Sequence, residues 1–467
     1  MTFKQKFIGD RAFYRTLFVL VLPLIIQQGI TNFVSLLDNL MVGGLGTHPM
    51  SGVSIVNQII FVFNLTIFGG LSGASIFGTQ FFGVGDWKGM RDTFRFKMLF
   101  SIIVSVLAIV IFSLFAEPLL MIFLENETNT AEDIARTLEA AKRYFAIALW
   151  GLVPFAIVQV YAGTLRETGE TVTPMVGGVI AIFVNLTFNY LLIYGKFGFP
   201  EMGVAGAALA TVMSRFVELF YVVFLTHRRH EKFRFIEGAY RSLRIPAALV
   251  KKIAVTGTPL MLNEVLWSLG QTFINSNYAS RGIVVIAATN ISGTAWNLFC
   301  VIMFAMGTAV SILVGQKLGA GDTKGAVDVD NKLLFFTFVS HILIGLIIIL
   351  AAPFIPQMYN VEEEVRALAS KCLMVMGGSL PIHALIHCIY FTVRSGGKTV
   401  ITFLFDCVYT WVVPAMLSMA LCRFTSLPII TIYLIVQFSD IIKLFIGIPM
   451  VRSGFWTKCV IEDVKEK

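Results

Sequence analysis

The sequence predicts an all-α integral membrane fold of about twelve transmembrane helices, arranged in two six-helix lobes related by a pseudo-twofold axis along the membrane normal. Three observations predict it. The chain is 57% hydrophobic and 14% charged, against about 45–50% and about 25% in soluble domains. Apolar stretches of roughly 20 residues, enough to cross the hydrocarbon core, recur along it. The chain also repeats itself, with Gly70–Asp86 returning as Met306–Asp322 and sharing the tail Gln-x-x-Gly-x-Gly-Asp-x-Lys-Gly.

The apolar runs lie at about 13–36, 50–72, 95–116, 143–165, 174–195 and 203–226, then at about 249–274, 284–308, 333–352, 370–393, 401–422 and 428–450. Their continuous apolarity fits helices; a closed barrel needs short alternating strands. Polar, basic residues Met1–Arg15 lead into a full-length first span, so no cleavable leader is expected. Pro23 and Pro259, Gln80 and Gln316, and Asp86 and Asp322 are each 236 residues apart, and Arg166 recurs as Arg394 after 228. The lobes are therefore drawn as 1–228 and 249–467, joined by a linker at 229–248. In the repeated loops the glycines suit positive φ and the aspartates suit capping of the next segment.

Lys and Arg fall mainly on alternate loops. One side collects Lys4, Lys6, Arg11 and Arg15, then Lys88, Arg91, Arg95 and Lys97, the linker cluster from Arg228 to Lys252, and the C-terminal Arg452, Lys458, Lys465 and Lys467. The opposite side carries fewer, with the acidic run Glu362–Glu364. The basic side is expected in the cytoplasm, with both termini, in a multi-pass plasma-membrane protein. The net charge of +8 then reflects topology and the lipid bilayer as partner; no nucleic-acid partner is expected.

Pro23 with Asp38–Gly46, the paired Gln-x-x-Gly-x-Gly-Asp loops, Arg166–Thr171 and Gly203–Thr211 together resemble the multidrug and toxic compound extrusion (MATE) family over nearly the whole chain. The resemblance implies a secondary antiporter with two lobes about a central cleft. It would export organic cations or other amphipathic small molecules in exchange for protons or sodium by alternating access. A monomer without cofactors is expected.

The chemistry should reside in polar groups that lipid excludes. Asp38 lies about four turns beyond Pro23, which can bend the first helix, and its carboxylate can exchange a small cation for cargo. The resemblance implies cation coupling at this position. Asn32, Asn57, Gln159, Tyr161, Asn185, Asn189 and Thr211 fall in the spans of the first lobe, where they can hydrogen-bond around Asp38 or simply join helices. Asn185 matches a family asparagine, and Asn189 stands where some members carry a second aspartate. In the second lobe Glu264 follows the hinge proline Pro259, and one branch of the resembled family places a sodium-linked glutamate in this helix. Asp406 is a further candidate for cation coupling, with a position near the cytoplasmic end as the alternative. Trp267 and Trp296 are candidates for a cleft wall that packs against a bulky cation, interhelical packing being the alternative.

Other features carry structural readings. Arg215 with Glu218, and Asp440 with Lys443, are spaced for i,i+3 pairing. His383 and His387 have metal-ligand spacing but no third ligand nearby, so no metal is expected. Gly396–Thr399 lacks the first glycine and the preceding strand of a phosphate loop. All six cysteines fall in the second half without paired spacing, as reduced packing residues do. A flippase for lipid-linked saccharides is the nearest alternative, but few basic residues within spans, mainly Arg215 and Lys443, could meet a pyrophosphate. A receptor has no need of the repeat, and an enzyme would need a clustered catalytic constellation that is absent.

Overall fold

The helices run past the apolar stretches that announce them, because a backbone hydrogen-bond ladder continues through polar side chains until a residue breaks it. The computed structural model describes residues 3–124 and 130–462; Lys465 and Lys467, counted above on the basic side, lie outside the described residues, as do the outermost ends of the two lobes drawn from sequence. The long helical segments are α1 (Arg11–Gly43), α2 (Thr47–Gly83), α3 (Trp87–Leu114), α4 (Ala131–Glu167), α5 (Val172–Tyr194) and α6 (Val204–Arg228). They continue as α7 (Ala247–Ala279), α8 (Ile283–Gly319), α9 (Thr323–Ala351), α10 (Glu363–Ser395), α11 (Thr399–Phe424) and α12 (Ile429–Arg452). Eleven of these, all but α7, are long and apolar enough to cross a membrane. The 33 residues of α7 have the length, but Lys251, Lys252, Asn263, Glu264, Gln271, Asn275 and Asn277 lower its apolarity.

The expected ends at about 36, 72 and 308 are therefore too early: α1 carries on to Gly43, α2 to Gly83 and α8 to Gly319. Past α2 and α8, Gly85 (φ 74°) and Gly321 (φ 73°) adopt the left-handed conformation that lets the chain reverse. Asp322 caps α9, its Oδ1 accepting from the Gly325 amide at 2.8 Å. Both features match the sequence reading of these loops. Three helices are interrupted. A 3₁₀ turn at Leu149–Gly151 divides α4, π-helical turns occupy Leu404–Val408 and Trp411–Ala415 of α11, and α12 breaks between Phe438 and Ile441. Pro154 and Pro414, which remove amide donors, stand at or near the first two irregularities.

The chain forms two compact units. The first comprises Ile26–Gly78 and Trp87–Val250. In it α5 and α6 approach closely, since a Cβ at Gly206 would fall 2.6 Å from the Leu192 carbonyl oxygen. The segment after α6 packs down on the same unit. Phe233, Phe235 and Ile236 are buried, and Arg95 donates to the carbonyls of Gly238 and Ala239, each at 2.8 Å.

The second unit comprises the chain up to Ile25, Thr79–Asp86 and everything from Lys251. Leu17, Leu20 and Val21 of α1 join its core beside Met306 and Val310 of α8. Pro23 thus stands two residues before α1 passes from one unit to the other. Gly345 of α9 and Gly377 of α10 face one another, a Cβ at Gly345 falling 2.3 Å from the Gly377 carbonyl oxygen.

The repeated tails also meet within this unit. A Cβ at Gly83 would lie 2.0 Å from the carbonyl oxygen of Gln316, and a Cβ at Gly319 would lie 2.0 Å from that of Gln80. The Gln80 side chain is wholly buried and uses both ends of its amide. Its Oε1 accepts from the Val460 amide at 2.7 Å, and its Nε2 donates to the Ser395 carbonyl at 3.0 Å. Any side chain at either glycine must push backbone aside, and such overpacking costs about 1–3 kcal/mol. Gly83→Val and Gly319→Val should each lower the thermal unfolding midpoint of the detergent-solubilised protein by several degrees. An unchanged midpoint in both would show that the crossing is loose.

Candidate functional site

The first unit builds its site on the second half of α1. Asp38 is partly buried there and meets amides. Asn189 of α5 donates to Asp38 Oδ1 through its Nδ2. One turn earlier, the Asn185 amide, oriented with its nitrogen toward the carboxylate, donates to Oδ1 at 2.9 Å and Oδ2 at 3.1 Å; its oxygen then accepts from the Thr211 hydroxyl at 3.2 Å. The helical period explains why both asparagines serve one carboxylate, since residues four apart share a face. No Lys or Arg among the described residues forms an ion pair with Asp38; Arg215 acts on it only from a distance, and Glu218 holds Arg215 at 2.9 Å in the i,i+3 pair expected from sequence.

The other polar residues of this unit are placed differently. Asn32 accepts from Gln28 on its own helix at 3.2 Å, and Asn57 accepts from the Tyr144 hydroxyl at 3.4 Å. Gln159 is partly buried on α4. Tyr161 is turned away to the linker, where its hydroxyl pairs with that of Tyr240. It lies within two turns of the end of α4, the level at which the linker docks, and this is why it is drawn there.

The second unit carries a different chemistry. Asp406, on the π-helical turn of α11, accepts from Lys443 Nζ at 2.7 Å through Oδ1 and from Asn263 Nδ2 at 3.1 Å through Oδ2. Lys443 therefore does not make the i,i+3 pair with Asp440 expected from sequence. α12 breaks just before Ile441, and Asp440 instead reaches His383 of α10 at 3.1 Å, while the other ring nitrogen of His383 meets Gln437 at 3.1 Å. Glu264, next to Asn263 on α7, is partly buried and within electrostatic reach of Asp406 and Arg394. Arg394 is 4% exposed, with its guanidinium 5.0 Å from the Phe391 ring centre. Trp296 packs edge-on to His383 with ring centres 5.7 Å apart, and Trp267 is 40% exposed. Pro259 lies inside α7, as Pro23 lies inside α1. His387 sits between Phe304 and Phe391, and no cluster of three or more metal-ligating side chains occurs among the described residues.

A protein-family model described as MatE matches residues 23–191 and 259–420. The chain belongs to the MatE family. Among its relatives is a "Probable multidrug resistance protein NorM" from Thermotoga maritima, 24% identical over 462 residues, covering 97% of this chain and 96% of that protein. A "Probable multidrug resistance protein YoeA" from Bacillus subtilis is 23% identical over 424 residues, covering 90% of this chain and 89% of that one. Among solved structures, a MATE transporter from Vibrio cholerae superposes with a TM-score of 0.84 at 17% identity, over 96% of this chain and 98% of the other. A transporter of the wider MOP superfamily from Pyrococcus furiosus gives 0.82 at 18% identity, over 95% and 96%. MatE membership makes this chain a multi-pass membrane transporter and not an enzyme.

Seen as a MatE transporter, the chain holds partners that the sequence reading missed. Lys97 is not a free topological charge: it is buried on α3 and bonds Glu167 of α4, with the Thr164 hydroxyl at 3.2 Å. The i,i+3 spacing of Thr164 and Glu167 was a signal, but nothing in the sequence joins them to Lys97. Asn263 was legible only as a polar neighbour of Glu264. The C-terminal segment tucks into the core of the second unit, where Trp456 is wholly buried.

Proposed function

We propose that this MatE transporter is a secondary active antiporter that exports organic cations or other amphipathic small molecules in exchange for protons or sodium. The observation that carries the reading is Asp38, a carboxylate inside a membrane span whose contacts are amides and not a fixed cation. Amide donors stabilise an ionised carboxylate without neutralising it, so the charge stays available to a small cation or to cationic cargo. Coupling requires that each bind differently in the two transport states. Pro23, close to where α1 changes units, is the hinge in this reading, with Pro259 its repeat counterpart. The names of the relatives support drug-like cargo, and the Lys and Arg distribution supports cytoplasmic termini. The ion pairs made by Arg215 and Lys443 argue against an open cationic cavity for a lipid-linked pyrophosphate.

The test is ethidium flux in proteoliposomes with proton and sodium gradients imposed separately. Flux driven by at least one gradient is expected, and failure of both would refute antiport. Glu264→Gln should reduce driven flux by about tenfold, the effect of losing roughly 1.4 kcal/mol of ion binding. Flux equal to wild type would remove Glu264 from the coupling path.

A further inference from the structure

The two units present their carboxylates in opposite electrical conditions. Asp38 is met by amides, whereas both oxygens of Asp406 are taken by donors of the chain itself, one of them an ammonium. We propose that Lys443 is a tethered cation occupying a latent monovalent-cation site at Asp406, and that cationic cargo must displace it to engage this carboxylate. The inference deepens the antiport reading and rests on it.

Four observations lead to it. The side chain of Lys443 is 4% exposed while that of Asp406 is 21% exposed, so the lysine is held inside and the carboxylate keeps an open edge. The ammonium lies 5.1 Å from the centre of the Phe405 ring and 5.4 Å from that of Tyr409, two rings that flank Asp406 on α11 and can hold a cation in place. Asp406 stands on a π-helical turn and Lys443 in the first turn of regular helix after the break in α12, so a small readjustment of the irregular segments can part them. Asp440, the nearby carboxylate that could have claimed Lys443, is bonded to His383. The charged and titratable groups facing the pair are Asp440 on α12, itself bonded to His383, with His387, Tyr390 and Arg394 on α10, Cys407 and Tyr409 on α11, and Glu264 on α7.

Lysine suits this role because its ammonium is a compact point charge, the closest side-chain substitute for a small hydrated cation. A group already tethered competes as if present at millimolar concentration or above. Free sodium therefore meets a filled position at Asp406, and a bulky organic cation gains entry only by adding contacts with aromatic or apolar walls.

Sodium binding by the purified full-length chain tests this, read as the thermal midpoint in sodium chloride against choline chloride. In an Asp38→Asn, Glu264→Gln background, which removes the other two candidate coupling carboxylates, sodium should give no shift. Adding Lys443→Ala should create a sodium-dependent rise of several degrees, and adding Asp406→Asn should abolish it. A sodium shift already present with Lys443 intact, or none after its removal, would overturn the proposal. Lys443→Gln, uncharged and one bond shorter but still filling most of the space, serves if the alanine variant does not fold, with the same expectations. Wild-type ethidium flux is measured beside these, so that absent flux would sink the antiport reading while the sodium shift still reports on Lys443.

Discussion

Asp38→Asn should bring gradient-driven ethidium flux down to the level of empty vesicles. The substitution is close to isosteric, and the new amide oxygen still accepts from Asn189, so the helix contacts survive. What disappears is the negative charge. Hydrogen bonds to a charged group contribute about 1.5–3 kcal/mol, and every 1.4 kcal/mol is tenfold in affinity, so ion or cargo binding should weaken by roughly 10- to 150-fold. Asn185→Ala and Asn189→Ala keep the charge and should show smaller losses. The measurement is flux per transporter in proteoliposomes, with the thermal midpoint confirming that each variant is folded. Wild-type flux in Asp38→Asn would mean that coupling resides elsewhere, with Glu264 the first place to look.

Lys97→Met should cost about 3–5 kcal/mol of stability, because it strands the Glu167 carboxylate in the interior. The side chains of Lys97 and Glu167 are 1% and 4% exposed, so water cannot replace the lost partner. The space around Glu167 is also tight, since a Cβ at Gly78 would fall 2.1 Å from its Oε2. Breaking one partner of a buried pair is costly, whereas replacing both with apolar groups of similar volume is often neutral or stabilising. Lys97→Met combined with Glu167→Leu should therefore recover most of the loss. Thermal unfolding in detergent reads both variants. If the double variant is as unstable as the single one, the ion pair is not the source of the loss.

The difference between these two sites shows how far the sequence could be read. Asp38 announces itself, because a carboxylate within an apolar run must be explained by its surroundings. Lys97 did not, because a lysine near the end of an apolar run looks like a loop charge, and only the packing of α3 on α4 buries it against Glu167. The pairing of Asp440 with Lys443 was misread for a related reason. Spacing of i,i+3 predicts a contact only if no tertiary partner claims either charge, and here His383 takes Asp440 while Asp406 takes Lys443.

Some properties of this transporter follow from its sequence alone: its membrane class, its internal duplication, its loop glycines and the carboxylates that lipid cannot accept unaided. These depend on composition and period, which act through local backbone conformation and the solvent each residue prefers. Which donor meets which carboxylate was decided by the tertiary structure. Asn185 and Asn189 reach Asp38, Lys443 reaches Asp406, and Gln80 grips the C-terminal segment across hundreds of residues of chain. Such contacts turn on differences of an ångström between packed helices, where hydrogen bonds are made or lost, and residue order does not encode that scale directly.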